Sequence, residues 1–297
     1  MKKKIVIVTG GDTNFFGYII SALASLESCG CSRQADLAVL DLGLSSEDVR
    51  RLAAAGYCVV RSEATVDVGR SIRGYKTLGQ SGLLPRTELR EYFPGYEVYL
   101  WFDPDAWAQT PDFLDTFVRA ARVHGAAIAL ETGYGYRRTF TDVKWWLGNL
   151  SLAYGPLRAA RLAMKPWINC GLMAFRADAK HWAAWRSHYL STLKRTGKHL
   201  DQHALFGALH IDRLDVGWIS PHCNWICVLS PPRWDIRRLA MCEPGGAERV
   251  LSVLHLAGPN KERVYQLLTS TGEKLSTQLT YEAVGAVRRN IRANFVE

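Results

Sequence analysis

From Ile5 to Arg61 the chain alternates three short apolar runs with two stretches of helical spacing, and few folds accept that alternation. Ile5–Thr9, Asp36–Leu42 and Tyr57–Arg61 read as strands. Between them, Gly17–Ser28 carries Ile19, Ile20, Leu23 and Leu26 on one side, and Ser45–Ala55 opens on Ser-Ser-Glu-Asp, which suits a helix cap. Such alternation implies a parallel sheet covered by helices on both faces. Ligands of open sheets of this kind bind beyond the carboxyl ends of the strands.

The pattern continues with a short helix at Arg86–Phe93, a buried strand at Val98–Phe102, a helix at Pro111–Val123 and a strand at Ala126–Glu131. Asn169–Phe175 reads as a strand, Ala177–Leu193 and Asp201–Leu209 as helices, and Leu251–Leu256 as a last strand. Val66–Pro85, rich in Gly and Ser, reads as irregular. Gly133–Lys165 is long, aromatic and basic, with no clean period. No repeat or flexible linker interrupts the chain. The expected organisation is one α/β domain over residues 1–261, with 262–297 as a helical extension packed on it.

The 297 residues suffice for one large α/β domain or two small ones with a sizeable core, and 48% hydrophobic with 22% charged residues is ordinary globular composition that argues against disorder. No apolar run reaches bilayer-spanning length. Met1-Lys2-Lys3-Lys4 resembles the basic start of a secretory signal, but Ile5-Val6-Ile7-Val8 ends too soon for its apolar core. Seven cysteines, an odd number, fit reduced thiols. Cys29 and Cys31 have no second close pair to complete a zinc site. A cytoplasmic protein is expected. The net charge of +9 favours anionic partners: nucleotide-sugars, phosphorylated glycans, anionic lipid or nucleic acid. No recognisable nucleic-acid motif is present, so nucleic acid is not expected.

Chemistry concentrates at strand ends. Val98–Phe102 breaks into Asp103-Pro104-Asp105. Two carboxylates one residue apart can converge on a hard divalent cation that keeps positions open for phosphate oxygens; Asp before Pro is also a common turn opener. Thr9-Gly10-Gly11-Asp12-Thr13-Asn14-Phe15 lacks the spacing of a dinucleotide fingerprint or P-loop. Asp12 can instead accept from a base or ribose, and Phe15 can stack on a base; the segment is equally readable as a capped turn. His255, after the last strand, can add a nitrogen ligand, a donor set that suits manganese better than magnesium. Gly258 admits close backbone approach, and Lys261 can neutralise a diphosphate.

Together these residues resemble the retaining, metal-dependent glycosyltransferases of family eight, which include glycogenin and bacterial lipopolysaccharide galactosyltransferases. The likeness runs from Ile5 to Lys261, with the family's elements in order. Thr9, Asp12, Asn14 and Phe15 stand where the family binds uridine. Arg86 precedes Asp103 by 17 positions, as the family's donor-contacting arginine does. Asn169-Cys170-Gly171 is similar to the strand whose Asn meets the donor sugar. Asp201-Gln202 matches the Asp-Gln pair beside the anomeric carbon, and His255-x-x-Gly258-x-x-Lys261 matches the last metal and diphosphate motif. The resemblance implies a GT-A fold: a Rossmann-like nucleotide-binding domain with a mixed sheet flanked by helices. It implies Asp103, Asp105 and His255 as metal ligands for Mn²⁺, with Mg²⁺ as the substitute. Thr9, Asp12, Asn14, Phe15, Arg86, Pro104, Asn169, Cys170, Gly258 and Lys261 are implied as donor-binding, and Asp201 and Gln202 as catalytic. It implies transfer of a hexose from a nucleotide-sugar, UDP-linked, to a glycan, lipid-linked or small-molecule acceptor.

Four departures stand out: His203 where the family has a third acidic residue, Cys170 in place of Ala or Ser, Phe15 in place of Tyr, and Glu262-Arg263 after the last lysine. Gly133–Lys165 is the candidate acceptor loop, with Tyr134, Tyr136, Phe140, Trp145 and Trp146 for sugar stacking and Arg137, Arg138 and Lys144 for anionic groups, or with the rings as core. Thr280–Phe295 reads as an amphipathic helix with Val284, Val287, Ile291 and Phe295 on one face and Arg288, Arg289 and Arg292 opposite or flanking. It can pack on the domain or lie on an anionic inner-membrane face. Two other functions are compatible with the residues: a non-catalytic nucleotide-sugar or glycan-binding protein on this scaffold, and a haloacid-dehalogenase-type phosphatase with Asp103 as nucleophile.

Overall fold

The structure, a computed structural model, describes residues 3–62, 83–133, 135–245 and 249–294. Most of the expected irregular stretch Val66–Pro85, together with Tyr134 and Phe295, lies outside these residues.

The first half builds the sheet by alternation. β1 (Ile5–Gly11), α1 (Phe16–Ser28), β2 (Ala35–Asp41), α2 (Ser46–Ala54) and β3 (Cys58–Arg61) follow one another. Ser45 caps α2 in a reciprocal box with Asp48. α3 (Leu89–Tyr92) is a single turn continuing a tight turn at Pro85–Glu88, and it leads into β4 (Val98–Phe102). Next come β5 (Ala106–Ala108), α4 (Asp112–His124) and β6 (Ala126–Leu130). The central sheet has seven strands in the order β3-β2-β1-β4-β7-β6-β8, where β7 is Ile168–Arg176 and β8 is Gly217–Ile219. All neighbours pair in parallel except β7, which runs against both β4 and β6. The sheet is therefore mixed, as the family resemblance implies.

Successive residues of β4 serve opposite cores, because strand side chains alternate. Tyr99 and Trp101 join the layer under α7 (His181–Thr196) and α8 (Asp201–Ile211), while Val98, Leu100 and Phe102 meet α4. Both faces are covered, which explains the uninterrupted apolar run.

Gly133–Lys165, the candidate acceptor loop with no clean period, contains α5 (Phe140–Tyr154) and α6 (Pro156–Ala163). A capping box of Thr139 and Asp142 starts α5, and Pro156 occupies the first turn of α6. The helical period is hidden because apolar side chains occupy both faces of α5. Trp146 and Leu150 are buried, while Phe140, Trp145, Leu147 and Leu152 are exposed.

The remaining chain adds β9 (Trp225–Ile226), β10 (Arg233–Asp235), β11 (Ala240–Cys242) and β12 (Val253–His255). The expected helical extension over 262–297 is corrected in its first half: the alternation of apolar and polar residues there builds a hairpin of β13 (Val264–Leu268) and β14 (Lys274–Gln278), and only α9 (Tyr281–Asn294) is helical. A small second sheet, β5-β12-β9, lies where β4 ends. Trp107, Trp225, Trp234 and Leu254 form a third core with Val284 of α9. Val287 and Ile291 pack on the same core, and the Arg288 guanidinium donates to Leu239 O at 3.0 Å and Gln109 Oε1 at 2.8 Å. The apolar face of α9 is thus occupied by the domain. Among the described residues, no helix is long and apolar enough to cross a membrane.

Candidate active site

Strand order delivers the site. β1 and β4 are parallel neighbours, so the segments after Gly11 and Phe102 emerge side by side. Asp12 caps the turn after β1 by accepting from Asn14 N at 3.0 Å. After Phe102 the chain turns tightly, with Asp103 N donating to Gly171 O at 2.8 Å and Ala106 N donating to Asp103 O at 3.0 Å. β5 then pairs with β12, His255 opposite Ala106, and Leu256 N donates to Asp105 O at 2.9 Å. This pairing brings residue 255 to residues 103 and 105 across 150 positions of sequence.

Asp103, Asp105 and His255 each offer a ligand atom, all within 4.8 Å of one another. His255 Nε2 lies 3.6 Å from Asp103 Oδ2 and 3.3 Å from Asp105 Oδ1. Its Nδ1 donates to Asn224 Oδ1 at 3.1 Å, which fixes the ring and leaves Nε2 toward the carboxylates. Lys261 pairs with Asp105 and donates to Gly258 O at 3.0 Å. Burial resists the Asp105 charge, but His255 and Lys261 outweigh it and hold the carboxyl well below its usual range. Burial pushes Asp103 the other way, upward, against Arg86 and His255. Burial likewise disfavours the His255 imidazolium, yet Asp105 raises its pKa. Two carboxylates and one oriented imidazole fit a divalent cation. Gly171 is required beside them: a Cβ there would sit 2.2 Å from His255 Cε1 and 2.7 Å from Asn169 Oδ1.

The opposite wall is built differently. Arg86, 4% exposed, pairs with Asp201 and, at 3.4 Å, with Asp103. Burial disfavours its charge, and the two carboxylates more than restore it. Its guanidinium lies 5.3 Å from the Trp101 ring, and Trp101 Nε1 donates to Asp103 Oδ1 at 2.6 Å. The register of β7 against β6 shifts between Ile128 and Ala129, so Cys170, Gly171 and Leu172 have no β6 partner. Asn169 sits at that shift. Its Oδ1 accepts from Asn224 Nδ2 at 2.9 Å and its Nδ2 donates to Glu131 Oε2 at 3.2 Å. Gln202, in the first turn of α8, accepts from Cys170 N at 3.3 Å and donates to Glu131 at 3.4 Å. Arg138 completes the set with an ion pair to Glu131 at 3.1 Å. A continuous chain of hydrogen bonds therefore joins His255 to Gln202 through Asn224, Asn169 and Glu131.

These walls enclose a cleft of about 670 Å³. Asp12, Phe15, Arg86, Asp103, Pro104, Asp105, Asn169, Cys170, Asp201, Gln202 and Lys261 line it together. Four expected residues stand off the lining. Thr9 is buried in β1, Asn14 Nδ2 donates to Asp12 at 3.3 Å, His255 sits behind the carboxylates, and Gly258 contributes its carbonyl to Lys261. Two of the four departures also resolve. Burial, reinforced by Asp201, pushes the Cys170 thiol well above its usual range, so it stays protonated. His203 is turned into the core, 4.4 Å from the Trp146 ring, where burial pushes its pKa down to about 4.

Sequence reasoning missed Glu131, Asn224 and Trp101 as site residues, along with Asn149, Lys198 and His199 on the cleft wall. Only Glu131, at a strand end, carries a readable signal. Of the acceptor-loop rings, Trp145 lines the cleft, Trp146 stacks on Trp167 in the core, and Tyr136 packs on Trp225.

No protein-family model and no curated protein matches the sequence. Solved structures do match in fold. The galactosyltransferase LgtC in complex with donor and acceptor sugar analogs superposes with a TM-score of 0.56 at 15% identity, over 96% of this chain and 95% of that one. The bifunctional glycosyltransferase WbbM gives 0.56 at 12% identity, over 87% of this chain and 46% of that one. The glycosyltransferase GlyE of Streptococcus pneumoniae TIGR4 gives 0.53 at 13% identity, over 99% and 64%. The fold is that of a GT-A glycosyltransferase, the one the family-eight resemblance implies.

Proposed function

We propose that the protein is a metal-dependent glycosyltransferase that moves a hexose from a UDP-sugar to an acceptor with retention at the anomeric carbon. One observation carries the reading. Asp103, Asp105 and His255 can hold a cation at one end of a single cleft whose other wall presents Arg86, Asp201, Asn169 and Gln202.

Phe15 and Asp12 are suited to receive the base and ribose. Lys261, 5.8 Å from the Phe15 ring, is suited to meet the diphosphate beyond them. A divalent cation bound by the two carboxylates and His255 supplies Lewis-acid stabilisation of the departing diphosphate. Lys261 adds a fixed positive charge to the same oxygens, electrostatic stabilisation that needs no reorganisation as the bond breaks. Arg86, locked between Asp103 and Asp201, fixes the Asp201 carboxylate to accept from sugar hydroxyls. Asn169 and Gln202 present amide dipoles held at both ends, so Gln202 orients the sugar and is not a nucleophile. The acceptor enters past Trp145 and Asn149 and attacks the face that the diphosphate leaves. Seven free thiols support a reducing, cytoplasmic setting.

The test is a panel of nucleotide-sugars incubated with and without Mn²⁺, scored for nucleoside diphosphate. Metal-dependent release from one UDP-sugar is expected. Tight donor binding with neither hydrolysis nor transfer to any acceptor would favour a binding protein. An aspartyl-phosphate trapped on Asp103 would favour the phosphatase.

A further inference from the structure

The outward face of α5 and α6 breaks the usual rule for surface helices, which keep polar groups toward water. Phe140, Trp145, Leu147 and Leu152 of α5 and Leu157 and Met164 at α6 are all exposed. These six are half of the twelve large apolar side chains exposed among the described residues. Phe140 is 82% exposed, Leu157 83% and Met164 85%, so their rings and chains stand almost free of the domain. Leu157, Arg161 and Met164 share one side of α6 at helical spacing. Exposed large apolar side chains concentrated on two successive helices mark an interaction site.

The charges on the same surface identify the partner. Lys144, Arg158, Arg161 and Lys165 are exposed, and no Asp or Glu occurs from Val143 to Ala177. Among the described residues none of the four cations makes an ion pair. A second copy of this face would set cations against cations. An anionic phospholipid surface satisfies both features, with apolar side chains entering the acyl boundary and Lys and Arg meeting headgroups.

We infer that the outward face of α5 and α6 seats this protein on an anionic phospholipid bilayer. Trp145 also lines the cleft, so the seated protein holds the mouth of the cleft at the lipid surface, where a lipid-linked acceptor would be presented. The inference concerns the surface and stands independently of the transfer reading. It moves membrane contact away from α9, whose apolar face is buried against the domain.

The experiment is flotation of the full chain with vesicles of phosphatidylcholine alone or mixed with phosphatidylglycerol, read without any activity assay. The protein is expected to float with the mixed vesicles only and to be released by high salt. Leu157→Glu combined with Met164→Glu should lower partitioning by about tenfold or more. Arg158→Gln with Arg161→Gln should lower it about fivefold per arginine. All four residues are exposed, so unchanged thermal unfolding of each pair is expected; if the acidic pair misfolds, the arginine pair carries the test. Failure of the wild type to float, flotation of a folded variant pair at wild-type level, or a dimer in solution that the Leu157→Glu, Met164→Glu pair dissolves would each overturn the inference.

Discussion

At the end of the cleft proposed for the diphosphate, Asp103, Asp105, His255 and Lys261 are charged or ionisable and make ion pairs. At the end proposed for the sugar, Asn169 and Gln202 are neutral amides held by Glu131 and Asn224 through a relay of hydrogen bonds. The difference follows from the task. A departing diphosphate needs fixed positive potential, which a cation site and Lys261 can supply from almost any scaffold. A sugar ring needs fixed donors and acceptors at set angles, and only residues with locked side chains provide those. The first kind of site tolerates modest displacement, whereas the second depends on its supporting shell.

The comparison is sharpest where it can be broken. Asp105→Ala removes a ligand and the partner of Lys261, and turnover should fall about a thousandfold, measured by steady-state kinetics across a Mn²⁺ titration. Full activity of this variant in chelator would sink the metal scheme. Gly171→Ala attacks both ends at once, because its Cβ meets His255 and Asn169 together. It should cost about 1–3 kcal/mol of stability and lower Mn²⁺ affinity, measured by thermal unfolding and calorimetry. A variant with wild-type metal affinity would contradict the packing described at β7.

Glu131→Gln touches only the sugar end. Its amide can still meet one partner but cannot accept from Asn169, Gln202 and Arg138 together, so kcat should fall about tenfold to a hundredfold. Mn²⁺ affinity should stay close to wild type, and parallel loss of metal affinity would show that the two ends are not separable. The smallest effect belongs to His203, which holds the place of the family's third acidic residue without facing the cleft. Its pKa falls from 6.5 to about 4 on folding, so the unfolded chain binds the proton more readily. Stability from this group is present above pH 6.5 and is lost as pH falls toward 4. His203→Phe removes a buried nitrogen that has no partner. It should flatten the fall in melting temperature over that window and leave kcat unchanged. An undiminished slope would assign the acid sensitivity elsewhere, beginning with His210, which is also pushed down to about 4.

The same contrast governs what can be read in the sequence. Asp103, Asp105, His255 and Lys261 are legible because charged residues at the ends of apolar runs have few structural uses and keep their order along the chain. Glu131, Asn224 and Trp101 act through neighbours, and Asn224 meets Asn169 across 55 positions with nothing in its own residue type to mark it. Of these, only Glu131 at the end of an apolar run could have been noticed. The strands and helices of the first half follow their periodicities closely. α5 does not, because an outward face that is itself apolar erases the period that would reveal it. The β13–β14 hairpin went unread, because 262–297 reads as a helical extension, although Tyr265 and Leu267 alternate with Val264, Gln266 and Leu268 before Thr271-Gly272.

The most direct test of the central claim is a proton NMR time course of the accepted UDP-sugar with the protein and Mn²⁺, with and without chelator. The account expects UDP and a transferred or released sugar that first appears with the anomeric configuration of the donor, and no change in chelator. Release at the same rate in chelator, or first appearance of the inverted anomer, would contradict it.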